Sequence, residues 1–130
     1  MIGIVIVAHG GLAAEYHAAV EHVVGTQIGM VSIAIGAEDD RAEKQDQICD
    51  AADSVDKGHG VVIVTDMFGG SPSNLSLRAC SPQNRRILYG ANLPMLIKLA
   101  KSRKMDVPDA VEAAIKAAHK YIDSHSVGQP

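Results

Sequence analysis

Polar residues are missing from the start of the chain. Ile2 to Ala8 reads IGIVIVA, and an apolar run without alternation suits a strand covered on both faces. Gly10-Gly11 break the run. From Leu12 to Val24 the apolar positions Leu12, Tyr16, Ala19, Val20, Val23 and Val24 fall at helical spacing, with Gly25 as the stop. Met30 to Ile35 predicts a second strand. Asp39 to Val55 predicts a polar, charge-laced helix ended by Lys57-Gly58. Gly60 to Thr65 (GVVIVT) predicts a third buried strand, and Asp66 to Ser71 (DMFGGS) a loop. Pro72 opens the next helix at its first turn, where a missing N–H costs nothing. Arg86 to Tyr89, ended by Gly90, predicts a short fourth strand. Leu93 to Lys101 and Pro108 to Ile122 predict helices, the second with Val111, Ala114, Ile115 and Ala118 on one side. Residues 124–130 read as a frayed tail.

The order is β-α-β-α-β-α-β-α-α. Buried strands alternating with helices predict an α/β protein, a single-domain open parallel sheet with helices on both faces. A length of 130 residues fits one domain spanning 1–130. The sequence shows no internal repeat, linker or low-complexity segment, and reads as a standalone domain.

Composition narrows the function. Apolar residues are 47% of the chain, but only three Tyr and one Phe are aromatic, and Trp is absent. The core is therefore aliphatic, and a base-stacking nucleic-acid platform is not expected. A net charge of −3 draws the chain to neither nucleic acid nor a membrane surface. Cys49 and Cys80 form no CxxC pair and sit near no His cluster, which argues against a disulfide framework and against a Cys-rich zinc site. The N-terminal apolar run is too short to span a membrane and lacks a basic flank. The chain thus reads as soluble and cytoplasmic.

Charge is unevenly spread. Met1 to Asp66 holds three Lys/Arg and eleven Asp/Glu, whereas Met67 to Met105 holds seven Lys/Arg and no acid. Two readings fit this: solvated helix faces, or two docking surfaces for two protein partners.

Ligands of open α/β sheets bind beyond the C-terminal ends of the strands, where the strand order reverses. Two strand ends carry candidate chemistry. The first strand runs into His9 and Gly10-Gly11, and the third runs into Asp66 and Gly69-Gly70-Ser71. If those strands are neighbours, His9 and Asp66 face one crevice. A carboxylate accepting the Nδ1–H of a neutral imidazole fixes its tautomer, presents the Nε2 lone pair, and stabilises the imidazolium formed after attack. Gly10 and Gly11 keep bulk off the ring, and the following helix start aims free N–H groups at an anion. Gly69, Gly70 and Ser71 offer a second set of donors. The constellation suits phosphoryl transfer through a phosphohistidine. A strand-end His is often only structural, and a strand-end Asp often only caps a helix, so both readings stay open on residues alone.

The other histidines carry less. His17 and His22 are five apart, so they do not share a face as a metal pair at i, i+4 would. His59 lies in a loop between glycines, and His119 and His125 lie near the C-terminus. No Gly-Lys-Ser/Thr follows the Gly-rich loop and no GxGxxG follows the first strand, so nucleotide cofactors have no motif support.

Three segments carry a resemblance: Val7-Ala8-His9-Gly10-Gly11-Leu12-Ala13, Thr65-Asp66-Met67-Phe68-Gly69-Gly70-Ser71-Pro72-Ser73-Asn74, and Gly90-Ala91-Asn92-Leu93-Pro94-Met95-Leu96. In this order and spacing the chain resembles, over nearly its whole length, the enzyme IIA component of the mannose-type family of the bacterial phosphoenolpyruvate-dependent sugar phosphotransferase system. The resemblance implies that His9 accepts a phosphoryl group from phospho-HPr on Nε2, that Asp66 holds Nδ1, and that Gly10, Gly69, Gly70 and Ser71 lie beside the phosphate. It implies delivery to a IIB component, no cofactor, no metal, and a homodimer made by swapping a C-terminal strand. The segment HSVGQP is short and poor as a strand. The phosphotransfer subunit of bacterial dihydroxyacetone kinase is also similar in fold and in its N-terminal histidine, but the Asp66–Asn74 and Asn92–Met95 motifs favour the mannose type.

Two other functions compete with the phosphocarrier. One is a standalone regulatory phosphoprotein, in which phosphorylation of the histidine switches binding to a regulatory protein without sugar transport. The other is a flavodoxin-like binding module whose crevice takes an anion with no covalent step.

Overall fold

The computed structural model describes residues 1–67, 69–80 and 84–128. Its elements follow the expected order: β1 (Gly3–His9), α1 (Leu12–Val24), β2 (Met30–Ile35), α2 (Arg41–Val55), β3 (Val61–Thr65), α3 (Ser71–Ser76), β4 (Arg85–Leu88), α4 (Leu93–Lys101) and α5 (Val107–Lys120). A 3-10 turn, Leu77–Cys80, extends α3. All four strands are parallel, in the order β2-β1-β3-β4. The chain order reverses between β1 and β3, which places the crevice of the fold there.

The apolar runs are continuous because both faces of the sheet are covered. Ile4, Ile6 and Ala8 of β1, with Val62 and Val64 of β3, pack against Val20 of α1, Leu96 and Leu99 of α4 and Ala114 of α5. Val5 and Val7, with Ile63 and Ile33, pack against Ile48 and Ala52 of α2 and Leu75 of α3. Each fully buried Ile, Val or Leu contributes roughly 1.5–3 kcal/mol. Successive strand residues point to opposite faces, so position 9, after Val5 and Val7, falls on the side of α2 and α3. Arg103 is almost fully buried and pins the far end of the sheet: its Nε donates to Ile2 O at 2.8 Å and its Nη2 to Gly29 O at 2.9 Å.

Boundaries move by a residue or two. β1 runs on to include His9, which pairs with Ile35, and β4 begins at Arg85 rather than Arg86. Arg85 is drawn into the ladder because its guanidinium also fastens the end of α2, donating to Asp53 Oδ1 at 2.8 Å and Asp56 Oδ2 at 3.1 Å. Asp40 is the cap of α2, its side chain accepting from Glu43 N–H at 3.1 Å. Three expected core positions are exposed instead: Leu12, Val23 and Ile115. The buried stripe of α5 runs through Val107, Ala110, Val111, Ala114 and Ala118. Residues 122–126 carry no helix or strand, and the last two residues of the expected tail lie outside the described residues, as does Phe68.

Candidate active site

β1 and β3 are neighbours, with Val7 opposite Thr65. This brings His9 and Asp66 together at adjacent strand ends. Asp66 Oδ2 meets His9 twice: it accepts from the backbone N–H at 3.0 Å and lies 2.7 Å from Nδ1. The backbone N–H is an obligate donor, so Oδ2 acts as an acceptor, and Nδ1 must bring the proton of the second bond. The neutral ring therefore keeps its lone pair on Nε2. The His9 side chain is 50% exposed while that of Asp66 is 11% exposed. An anchored carboxylate thus holds a ring that is open to a partner.

Burial pushes the Asp66 carboxyl up, but the His9 backbone N–H, the ring hydrogen bond and the ring's charge outweigh it and hold the carboxyl below the ordinary carboxylate range. Asp66 Oδ1 is buried and has no hydrogen-bond partner among the described residues. Asp56 is also lowered, first by the Gly58 N–H and, against some burial, by Arg85. Both shifts run downward, so the ionised carboxylates stabilise the fold at neutral pH. That contribution is full above the ordinary carboxylate pKa and is lost as pH falls through it toward the lowered values. The thermal midpoint is expected to fall as the pH drops below the ordinary carboxylate range. Asp56→Asn should flatten that acid limb in a calorimetric pH series.

The glycines divide the work differently from the expectation. Gly10 sits at φ +56°, a conformation that favours glycine, and its N–H is taken by Ile35 O at 3.0 Å. Gly69 sits at φ +84°, and its N–H donates to Ser73 Oγ at 3.0 Å. Neither amide is therefore a free donor for a phosphate, because one continues the ladder to β2 and the other closes its own turn. A side chain at Gly11 would meet nothing within 4 Å, so that flank of the crevice is open. The start of α1 has no side-chain cap. The backbone N–H groups of its first turn point toward the strand ends, as at any helix start.

Gly70 is the close neighbour of the reacting nitrogen. A Cβ there would lie 3.2 Å from His9 Cε1 and 3.7 Å from Nε2. Its backbone, at φ −82° and ψ 171°, is open to any residue. Gly70→Ala should therefore fold normally yet crowd the attacking face. We expect phosphoryl acceptance to slow by ~10-fold or more, given how strongly catalysis depends on placement, with the melting curve unchanged. Wild-type kinetics in that variant would remove Gly70 from the site.

Ser71 begins α3 beside Gly70 and is half-buried. Ser73 was not singled out from sequence. Its hydroxyl accepts from Gly69 and donates to Gly70 O at 3.0 Å, tying the loop into one unit. A serine three residues beyond a glycine pair, behind a helix-opening Pro, is the signal for such a local tie. The third motif buttresses the crevice from behind. Ala91 N–H donates to Thr65 O at 3.0 Å, Tyr16 Oη donates to Ala91 O at 3.0 Å, and the Asn92 side chain caps α4 while donating to Ala118 O.

Among the described residues no helix is long and apolar enough to cross a membrane, and no group of three or more His, Cys, Asp or Glu side chains is placed to hold a metal ion. The chain is similar to the phosphotransferase system component EIIA from Streptococcus agalactiae, with 28% identity over 95% of this chain and 97% of that one and a TM-score of 0.85. It is similar to the PTS IIA protein associated with the fucose utilization operon from Streptococcus pneumoniae, with 26% identity over 88% and 89% and a TM-score of 0.77. The mannose/sorbose specific IIA subunit from Enterococcus faecalis shares the fold, with 21% identity over 99% and 98% and a TM-score of 0.86. Residues 3–118 match the family model described as PTS system fructose IIA component, and over that span the chain belongs to the IIA components of the mannose and fructose type of the phosphotransferase system.

Proposed function

We propose that this IIA component is a cytoplasmic phosphocarrier, in which His9 Nε2 accepts a phosphoryl group from phospho-HPr and delivers it to a histidine of a IIB component during sugar uptake. The observation that carries the reading is the double grip of Asp66 Oδ2 on the His9 backbone and ring. It leaves one nitrogen as nucleophile and sets a carboxylate where positive charge develops.

In the transfer step the Nε2 lone pair forms the new N–P bond while the N–P bond of the donor ring breaks. The donor leaves as neutral imidazole with the electron pair. His9 keeps its Nδ1 proton and becomes a phospho-imidazolium beside the Asp66 carboxylate. Protons and charge balance, and the reverse geometry serves delivery. The phosphoryl oxygens are met by backbone N–H groups bordering the crevice, with the Ser71 hydroxyl on one wall.

The test is intact-mass analysis after mixing with phosphoenolpyruvate, enzyme I and HPr. One phosphoryl adduct, labile in acid, is expected. No adduct, with HPr active on a control IIA protein, would reduce the crevice to a non-covalent anion site. Adding a IIB component separates the roles: the adduct leaves this chain if it carries phosphoryl groups to sugar uptake, and stays if it only regulates.

A further inference from the structure

α2 is acidic along its length, with Glu43, Asp46, Asp50 and Asp53, yet its first turn and a half carries Arg41 and Lys44. The positive end of a helix dipole is an unfavourable place for cations. Folding puts both at the edge of a cavity of about 240 Å³, between the end of β2 and the start of α3, lined among others by Ile35, Gly36, Lys44, Ser71 and Leu75.

His9 does not itself line the cavity, but two of its lining residues are neighbours of His9 in the fold. Ile35 is the β2 partner of His9. Ser71 directly follows Gly70, where an added Cβ would lie 3.7 Å from Nε2. Lys44 is held loosely. Its Nζ is 3.7 Å from Asp39 Oδ2 and donates to Gln47 Oε1 at 3.1 Å, while Asp39 Oδ2 is itself occupied by Gly36 N–H at 2.6 Å. An ammonium has three donors, and partly exposed pairs of this kind bind weakly. A dianionic phosphoryl group is a stronger partner than a shared carboxylate.

We infer that Lys44 is the cation of the phosphoryl subsite: once His9 is phosphorylated, its ammonium leaves Asp39 and pairs with a phosphoryl oxygen, with Arg41 as outer neighbour and the Ser71 hydroxyl on the facing wall. This rests on the phosphocarrier reading above. Nothing covalent changes at Lys44; it neutralises charge that arrives with the group.

The test compares wild type, Lys44→Gln and Lys44→Arg, each phosphorylated through HPr and, separately, chemically with phosphoramidate. Lys44→Gln is expected to accept the group ~10-fold more slowly, less than the loss of a fully buried transition-state donor because the site is half open. In phosphorus NMR its phosphoryl group should take up its last proton at higher pH than in wild type. Lys44→Arg should restore most of both. Equal rates and equal phosphorus titrations in wild type and Lys44→Gln would overturn the assignment. So would a slower rate with an unchanged titration, which would make Lys44 a docking contact. If wild type takes a phosphoryl group from neither donor, the phosphocarrier reading falls and this inference with it, so the two failures are distinguishable. Lys44 lies half-buried on the surface of α2, and circular dichroism of the variants should match wild type.

Discussion

His9→Ala protein, mixed with enzyme I, HPr and phosphoenolpyruvate, is expected to gain no phosphoryl mass while wild type gains one. The effect is complete because, among the described residues, Asp66 fixes the proton of no ring other than that of His9. It should come without unfolding. The ring is 50% exposed, and the backbone N–H of residue 9 keeps its bond to Asp66 when the ring is removed. A melting curve near wild type, with no adduct, is the signature of a lost nucleophile. An adduct persisting in the variant would move the chemistry to His17, His22, His59, His119 or His125 and would sink the assignment.

Asp66→Asn should be the next largest loss, and the geometry says which kind. The atom in the Oδ2 position must accept from the His9 backbone N–H. The substituted amide therefore settles with its oxygen there and its nitrogen in the place of Oδ1, which is buried without a partner. The tautomer survives and the charge does not. Transfer should slow by roughly 10²-fold, the range for losing a preorganised electrostatic partner. An unpaired buried amide should also cost about 1–3 kcal/mol of stability. Phosphorylation at the wild-type rate would show that the carboxylate only positions the ring. Complete loss, equal to that of His9→Ala, would show that orientation fails too.

Much of this was legible in the residues. Covered strands leave runs without alternation, so β1 and β3 announced themselves, and with them the two ends that hold His9 and Asp66. The resemblance named the pair as partners; neighbouring strands make them so. What escaped has a physical cause. Apolar spacing shows that a helix has a stripe but not which shoulder of it meets the sheet, so Leu12, Val23 and Ile115 turned outward. The amides of Gly10 and Gly69 looked available because sequence does not show that Ile35 O and Ser73 Oγ already hold them. Lys44 was invisible as a lining residue, since only the fold brings the start of α2 and the start of α3 to one cavity.

The alternation within β1 carries one more consequence. Val5 and Val7 face α2 and α3, while Ile4, Ile6 and Ala8 face α1, α4 and α5. The parity of position 9 thus decides which half of the molecule the ring meets. Insert or delete a single residue between Gly3 and Ala8, and the strand remains as apolar as before. Histidine would then project toward α1, away from Gly70 and the cavity of Lys44. The site depends on an odd count as much as on a particular side chain, because a shift of one residue in register turns a strand's side chains to the other face.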